Sequence, residues 1–253
     1  MNPAHRQENY AVRFDWGLAG AQAISQGCEV AVVVDILSFT TTLSVALDAG
    51  ITVYPYRVGG EHAEAFADEV DAILAVGRSV ACGDQISLSS PTIRNQTVVP
   101  QRLVLPSPNG ATISYELAAT AVTVIGASLR NARAVATWIS DTYPPGTTIA
   151  IIAAGERWPD GSLRPAVEDM WGAGAVLHEL AAHGRGEGFS PESRVARAAW
   201  TQVEPALAAD LRDCASGREL VDAGYAQDVE IAAEINSSTH VPVLRAHRFV
   251  PAN

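Results

Sequence analysis

The sequence contains no lysine. All 17 of its basic residues are arginine, set against 28 acids, for a formal net charge of −11 over 253 residues. Without a lysine amine there is no Schiff-base chemistry, no lysine general base and no P-loop lysine for phosphate. The acid excess argues against nucleic acid and anionic membranes as partners, since both want clustered positive charge. It also sets a condition on any anionic ligand: a metal ion, local arginines or helix N-termini must offset the field. Cysteine is scarce too. Cys28, Cys82 and Cys214 are odd in number and show no metal-ligand spacing, the pattern of reduced thiols in a cytosolic protein. The segment MNPAHRQENYAVRFDWG lacks the hydrophobic core of a signal peptide. The run EVAVVVDIL is far too short to span a bilayer. No repeat of fixed period and no Pro- or Gly-rich low-complexity tract is found.

What is present is an alternation of strand-like and helix-like segments. YAVRFDWG (Tyr10 to Gly17) alternates apolar and polar residues, as a half-buried strand does. VAVVVDI (Val30 to Ile36) is a continuous β-branched run, expected of a strand buried on both faces. FTTTLSVALDAG reads as a helix with Ser38 at its N-cap and Gly50 just past its end. ITVYPY reads as the next strand and residues 60–76 as a helix. RLVLPSPNGATISYELA and VTVIGASLRNARAVATWI each read strand, turn, helix. TTIAIIAAGERWPDGSLRPAVEDMWGAGAVLHELAAH reads strand, longer loop, long helix with Pro165 near its first turn. The tail is helical from Pro191, and HVPVLR is the expected last strand. The pattern implies an α/β fold, three layers with helices on both faces of a largely parallel or mixed sheet. Residues 1–253 form one domain, with Asp141–Thr147 the place for a seam if the chain divides into two similar α/β lobes.

In such sheets ligands sit beyond the carboxyl ends of the strands. The polar residues concentrate there: Asp35 and Ser38 to Thr42, Ser107 to Gly110, Ser128 to Asn131, and Glu156 with Arg157. Asp35 before a helix start suits metal or phosphate work, because free backbone N–H groups and a partial positive charge await an anion. Thr40, Thr41 and Thr42 add hydroxyls. The alternative is local: threonines cap the helix and Asp35 accepts hydrogen bonds from a neighbouring turn. Leu37 stands where an aspartyl-phosphate phosphatase of the Asp-x-Asp type needs its second acid. PSPNGA and GASLRNA are turns by composition, and by placement candidate anion cradles, the second with Arg130 to pair an anion bidentately. Glu168 and Asp169 stand in the first turn of a helix, where acids complement the dipole and, as a pair, suit a hard cation such as Mg²⁺. Gly172 and Gly174 inside this helix imply close packing against another backbone.

Other motifs fail. His178 and His183 are five apart rather than four, which excludes a zinc-protease helix. GAGAVL lacks the third glycine and sits mid-helix, so it is no dinucleotide loop. No serine occupies a Gly-x-Ser-x-Gly elbow.

Taken in order, VVVDILSFTTT, CGDQISLSSP, LPSPNGA, GASLRNARAVA, AVEDMWGAGAV and SGRELVDAGYAQDVEIAAEINSSTHVPVL resemble the 2-phosphosulfolactate phosphatase family. The pieces span most of the chain in the family's order. The resemblance implies a magnesium-dependent phosphatase with its own α/β fold. The family reaction releases phosphate from 2-phospho-3-sulfolactate to leave 3-sulfolactate, a step toward coenzyme M. It implies that Asp35, Thr40, Thr41, Asn109 and Asn131 are catalytic. Ser38, Thr42, Asp84, Ser107, Gly110, Ser128 and Arg130 would meet the substrate, and Asp35, Glu168 and Asp169 would hold the metal. Two departures stand out. The family carries arginine where Ser38 stands and Gly-Glu-Arg where Gly83, Asp84 and Gln85 stand. Arg94, Arg130 and Arg157 are the arginines left to supply that charge. Expected partners are therefore a small anionic phosphoester and Mg²⁺, without nucleic acid or membrane; a homo-oligomer is left open. A phosphohydrolase for another metabolite, or an anion-binding protein without catalysis, are the competing expectations.

Overall fold

A computed structural model describes residues 2–57, 62–120 and 122–252. The strands are β1 (Val12–Trp16), β2 (Val30–Val34), β3 (Thr52–Tyr56), β4 (Ile73–Leu74), β5 (Arg102–Pro106), β6 (Thr123–Ala127), β7 (Ile149–Ala153), β8 (Glu156–Arg157), β9 (Leu163–Arg164), β10 (Pro242–Arg245) and β11 (Arg248–Pro251). The helices are α1 (Gly17–Ile24), α2 (Phe39–Asp48), α3 (His62–Glu69), α4 (Ser90–Arg94), α5 (Gly110–Leu117), α6 (Ala132–Thr142), α7 (Val167–Ala182), α8 (Pro191–Val203), α9 (Leu207–Asp213), α10 (Ala215–Asp222) and α11 (Ala226–Ala232).

Nine strands make one mixed sheet in the order β1-β7-β2-β6-β10-β11-β3-β5-β4. Its two parallel groups, β1-β7-β2-β6 and β3-β5-β4, are joined by the antiparallel β10–β11 hairpin. Every residue of β2 is fully buried, because both its faces carry apolar helices. Val30, Val32 and Val34 join one core with α6, α7 and α8; Ala31 and Val33 join the other with α1, α2 and α5. That second core also contains Val53 of β3 and Leu103 and Leu105 of β5. The segments that follow β2, β5 and β7 are hydrogen-bonded to one another through Asp35 and Asp169.

The expected elements are present with two corrections. The helix expected over 60–76 is α3 followed by β4, with Asp71 at φ +51° turning the chain between them; Gly60 itself lies outside the described residues. Ile73 and Leu74 pair with β5 at the sheet edge instead of continuing a helix. The strand expected in HVPVLR is β10, which ends at Arg245 but is not the last. Ala246 and His247, both at positive φ, make a tight turn and β11 returns antiparallel. Such turns favour Asn-Gly, so Ala-His gives no warning. Asp141–Thr147 joins α6 to β7, and β7 sits between β1 and β2. Among the described residues no helix is long and apolar enough to cross a membrane.

Candidate active site

β2 delivers Asp35 to the start of α2. Thr40 braces that turn: its hydroxyl accepts the Asp35 N–H at 2.9 Å and donates to the Asp35 carbonyl at 2.7 Å. The Asp35 side chain, 4% exposed, then caps two helices at once. Oδ1 accepts the N–H of Phe39, first residue of α2, at 3.1 Å, and Oδ2 accepts the N–H of Gly110, first residue of α5, at 2.7 Å. Helix N-termini favour a carboxylate, and these two bonds hold its proton affinity down. Burial outweighs them, aided by the nearby charge of Glu168, and Asp35 ends above the usual aspartate range.

Three more acids surround it. Asp169, in the first turn of α7, accepts the N–H of Ile36 at 2.7 Å on Oδ1 and that of Gly155 at 2.8 Å on Oδ2. It thereby ties the ends of β2 and β7 together. Burial first, then Asp35 and Glu168, push it well above the ordinary range. Glu168 is 2% exposed, with the Cys214 thiol donating to Oε2 at 3.6 Å. That carboxylate, after burial, helps drive the thiol up to about 12, so Cys214 is no nucleophile. Glu156, on β8, accepts from Asn109 Nδ2 at 2.9 Å. Burial and the charge of Asp35 push Glu156 up to about 7. Asp35, Glu156 and Asp169 are raised by burial and by the charges of their acidic neighbours, and a site of this kind calls for a cation or protons. Among the described residues, no three His, Cys, Asp or Glu side chains are gathered closely enough to ligate a single ion on their own.

The positive charge comes from an unexpected place. Arg78 Nη2 donates to Ser38 Oγ and to the Leu88 carbonyl at 2.8 Å, and lies 3.6 Å from Asp228 Oδ1. Its guanidinium stacks over the Tyr225 ring at 5.3 Å. Ser38 sits at the α2 N-cap position but makes no capping bond with its side chain, because the hydroxyl meets Arg78. Arg157 donates to the Pro108 carbonyl at 3.1 Å.

Two cavities flank the Pro106–Gly110 turn, with Pro108 in the wall of each. One, about 340 Å³, is lined by Trp16, Asn109, Thr112, Glu156, Arg157 and Leu163 among others. The other, about 430 Å³, has Arg78, Leu88, Pro106, Glu219 and Tyr225 in its wall.

The structure thus gathers Asp35, Ser38, Thr40, Asn109, Gly110, Glu168 and Asp169 of the expected residues. Ser107 is buried beside them, its Oγ accepting the Asn109 N–H at 3.2 Å. Thr41 and Thr42 are buried with hydroxyls that find no partner among the described residues. Ser128 and Asn131 satisfy each other, Asn131 Oδ1 accepting the Ser128 N–H at 2.8 Å. Arg130 pairs with Asp48 at 2.7 Å and with Glu234, which also binds Arg94. None of these partners belongs to the Asp35 cluster. Asp84 lies on an exposed loop, its carbonyl accepting from Gln96 Nε2 at 2.7 Å. Arg78, Tyr225 and Asp228 were not singled out from the sequence, and Glu156 was noted only for following a strand. Arg78 is 40 residues from Ser38, and no local signal ties the two together.

The model of the family described as 2-phosphosulpholactate phosphatase matches residues 20–247. The chain belongs to this family. Among its relatives, a protein of Deinococcus radiodurans is 30% identical, over 88% of this chain and 91% of its own, and one of Thermus thermophilus is 32% identical, over 86% and 88%. A third, from Symbiobacterium thermophilum, is 29% identical over 87% of this chain and 93% of its own. Each is named a probable 2-phosphosulfolactate phosphatase. The span matched to the 2-phosphosulpholactate phosphatase family contains the whole Asp35 cluster and Arg78 with its partners Ser38, Tyr225 and Asp228.

Proposed function

We propose that the chain is a Mg²⁺-dependent phosphatase that converts 2-phospho-3-sulfolactate to 3-sulfolactate and phosphate. The observation that carries this reading is a buried carboxylate, Asp35, fixed by the first N–H groups of two helices and surrounded by three further acids. The family's name supplies the substrate. The donor set is right in kind for Mg²⁺, all carboxylate oxygen, and right in charge, since a cation relieves the mutual repulsion. Mg²⁺ ordinarily keeps several waters and binds through one or two carboxylates, so it does not need three of these acids to close on it at once. Asp35, Glu168 and Asp169 are the residues proposed to hold it, directly or through water. When bound, the ion would neutralise phosphate charge and orient a water for in-line attack.

The remaining steps belong to the chain. The backbone bonds to Asp35 and Asp169 fix both carboxylates before substrate arrives, so no reorganisation accompanies reaction. The buried hydroxyls of Thr41 and Thr42, without a partner among the described residues, lie in the first turn of α2. Glu156, poised near neutrality and tethered to Asn109, can accept a proton from water or return one to the leaving oxygen.

Phosphate release from racemic 2-phosphosulfolactate, beside a panel of small phosphoesters, each with Mg²⁺ and with EDTA, tests the reading. Metal-dependent release strongest on phosphosulfolactate supports it. Release from another ester alone moves the substrate, and no release from any ester sinks the phosphatase reading.

A further inference from the structure

The cavity on the Arg78 side of the Pro106–Gly110 turn takes no part in the carboxylate chemistry described above. Among the described residues of its wall, Arg78 is the single cation and Glu219 the single acid. The guanidinium is held from several sides: by Ser38 Oγ, the Leu88 carbonyl, Asp228 and the Tyr225 ring. Tyr225 is itself tethered, its hydroxyl donating to the Arg78 carbonyl at 3.2 Å. Asp228 is fixed by the Ser89 hydroxyl at 2.7 Å on Oδ2. All three contacts of the guanidinium nitrogens with acceptors use Nη2. Nε is buried without an acceptor among the described residues. A buried donor without a partner is costly, and a planar guanidinium clamped in one orientation is prepared to receive an anion. Ser38, whose hydroxyl accepts from Arg78, lies three residues beyond Asp35 at the start of α2, so a molecule reacting at Asp35 lies within reach of both.

We propose that Arg78 is a specificity-determining residue that holds the second, non-reacting anionic group of the substrate, a sulfonate or carboxylate, in this cavity. The phosphate reacts at the carboxylate cluster on the other side of the turn. The substrate class is then a small phosphoester with a strong-acid group a few bonds from the ester oxygen. The inference rests on the phosphatase reading for the reacting end only.

The test compares wild type, Arg78→Ala and Arg78→Lys on 2-phosphosulfolactate and on p-nitrophenyl phosphate, which has no second acid. Losing a charge-assisted hydrogen bond weakens binding by about 10- to 100-fold. The ratio of kcat/KM for the first ester over the second should fall by that factor in Arg78→Ala, chiefly through KM. In Arg78→Lys it should fall by less, because the charge stays and the fork is lost. An equal fall on both esters, or an unchanged ratio, overturns the proposal. Should Arg78→Ala fail to fold, the ratio in Arg78→Lys decides alone: a fall supports, no change overturns. Calorimetry with 3-sulfolactate needs no turnover. If wild type hydrolyses neither ester, the phosphatase reading fails. Arg78 then stands if 3-sulfolactate binds wild type at least about 10-fold more tightly than Arg78→Ala, and falls if it does not.

Discussion

Gly110 donates its backbone N–H to Asp35 Oδ2 at 2.7 Å, across 75 residues of sequence. The contact needs the absence of a side chain. A Cβ on Gly110 would lie 2.7 Å from Asp35 Oδ2 and 2.7 Å from Phe39 Cδ1, and neither neighbour can retreat, since both are buried and hydrogen-bonded or packed in the core. Gly110→Ala must push α5 away from α2. The expected result is a loss of about 1–3 kcal/mol in stability and about 100-fold in turnover, because a displacement of that size misaligns the site. Urea denaturation and phosphate-release kinetics on the same preparation check it; unchanged kinetics would show that the contact is not part of the site.

Asp35→Asn separates charge from shape. The amide can accept only one of the two backbone donors, and its NH₂ then faces the other, which costs about 1–3 kcal/mol. Removing a buried, destabilised charge offsets part of that. The variant should fold with a melting temperature near that of wild type and lose about 100-fold or more in turnover. Normal turnover in a folded Asp35→Asn variant would remove the cluster from the mechanism.

Arg130 reads in the sequence as an anion clamp, but the structure gives it a different occupation. Its guanidinium, 3% exposed, joins Asp48 at the end of α2 to Glu234 beyond α11. Arg130→Ala should therefore cost stability and leave KM where it was. Both acid partners are about one-third exposed and regain water when Arg130 is removed. The loss should be about 1–3 kcal/mol, below that of a fully buried broken pair. Chemical denaturation beside Michaelis kinetics distinguishes the two roles; a large KM effect would restore the clamp.

The residues that were legible in the sequence share a property: their signal is local. A β-branched run announces β2, and hydroxyls after an acid announce the start of α2. Glycines inside α7 announced close packing, and Gly174 delivers it, since a Cβ there would meet the Ala196 carbonyl oxygen of α8 at 2.2 Å. Gly172 faces side chains instead, those of Val34 and Ile36. What stayed hidden depends on tertiary meetings. Arg78 and Ser38 meet only because α4 packs on α2 and brings the preceding loop with it. Glu156 gains its character from burial beside Asp35, which no spacing encodes. Ser128 to Asn131 had the same strand–turn–helix placement as Ser107 to Gly110, yet only the latter turn donates to Asp35.

Glu156 should leave a mark on the pH dependence of stability. Its ordinary value is 4.5, and burial with the charge of Asp35 raises it to about 7. Between those values the folded chain binds a proton that the unfolded chain has released. Stability contributed by this group is therefore present below pH 4.5, declines as pH rises through the window, and is gone above about 7. Allowing for partial solvent screening, the decline should be about 1–3 kcal/mol. Glu156→Gln keeps an acceptor for Asn109 Nδ2 but cannot titrate. Denaturation at pH 5 and pH 8 should show a smaller drop in the variant than in wild type, with the variant the more stable of the two at pH 8. If the same carboxyl carries the proton in turnover, the limb of the pH–rate profile near 7 should vanish with it while the overall rate falls. A variant that keeps both the stability slope and the limb would assign them to other members of the cluster, Asp35 and Asp169 first, whose proton affinities are raised by the same burial.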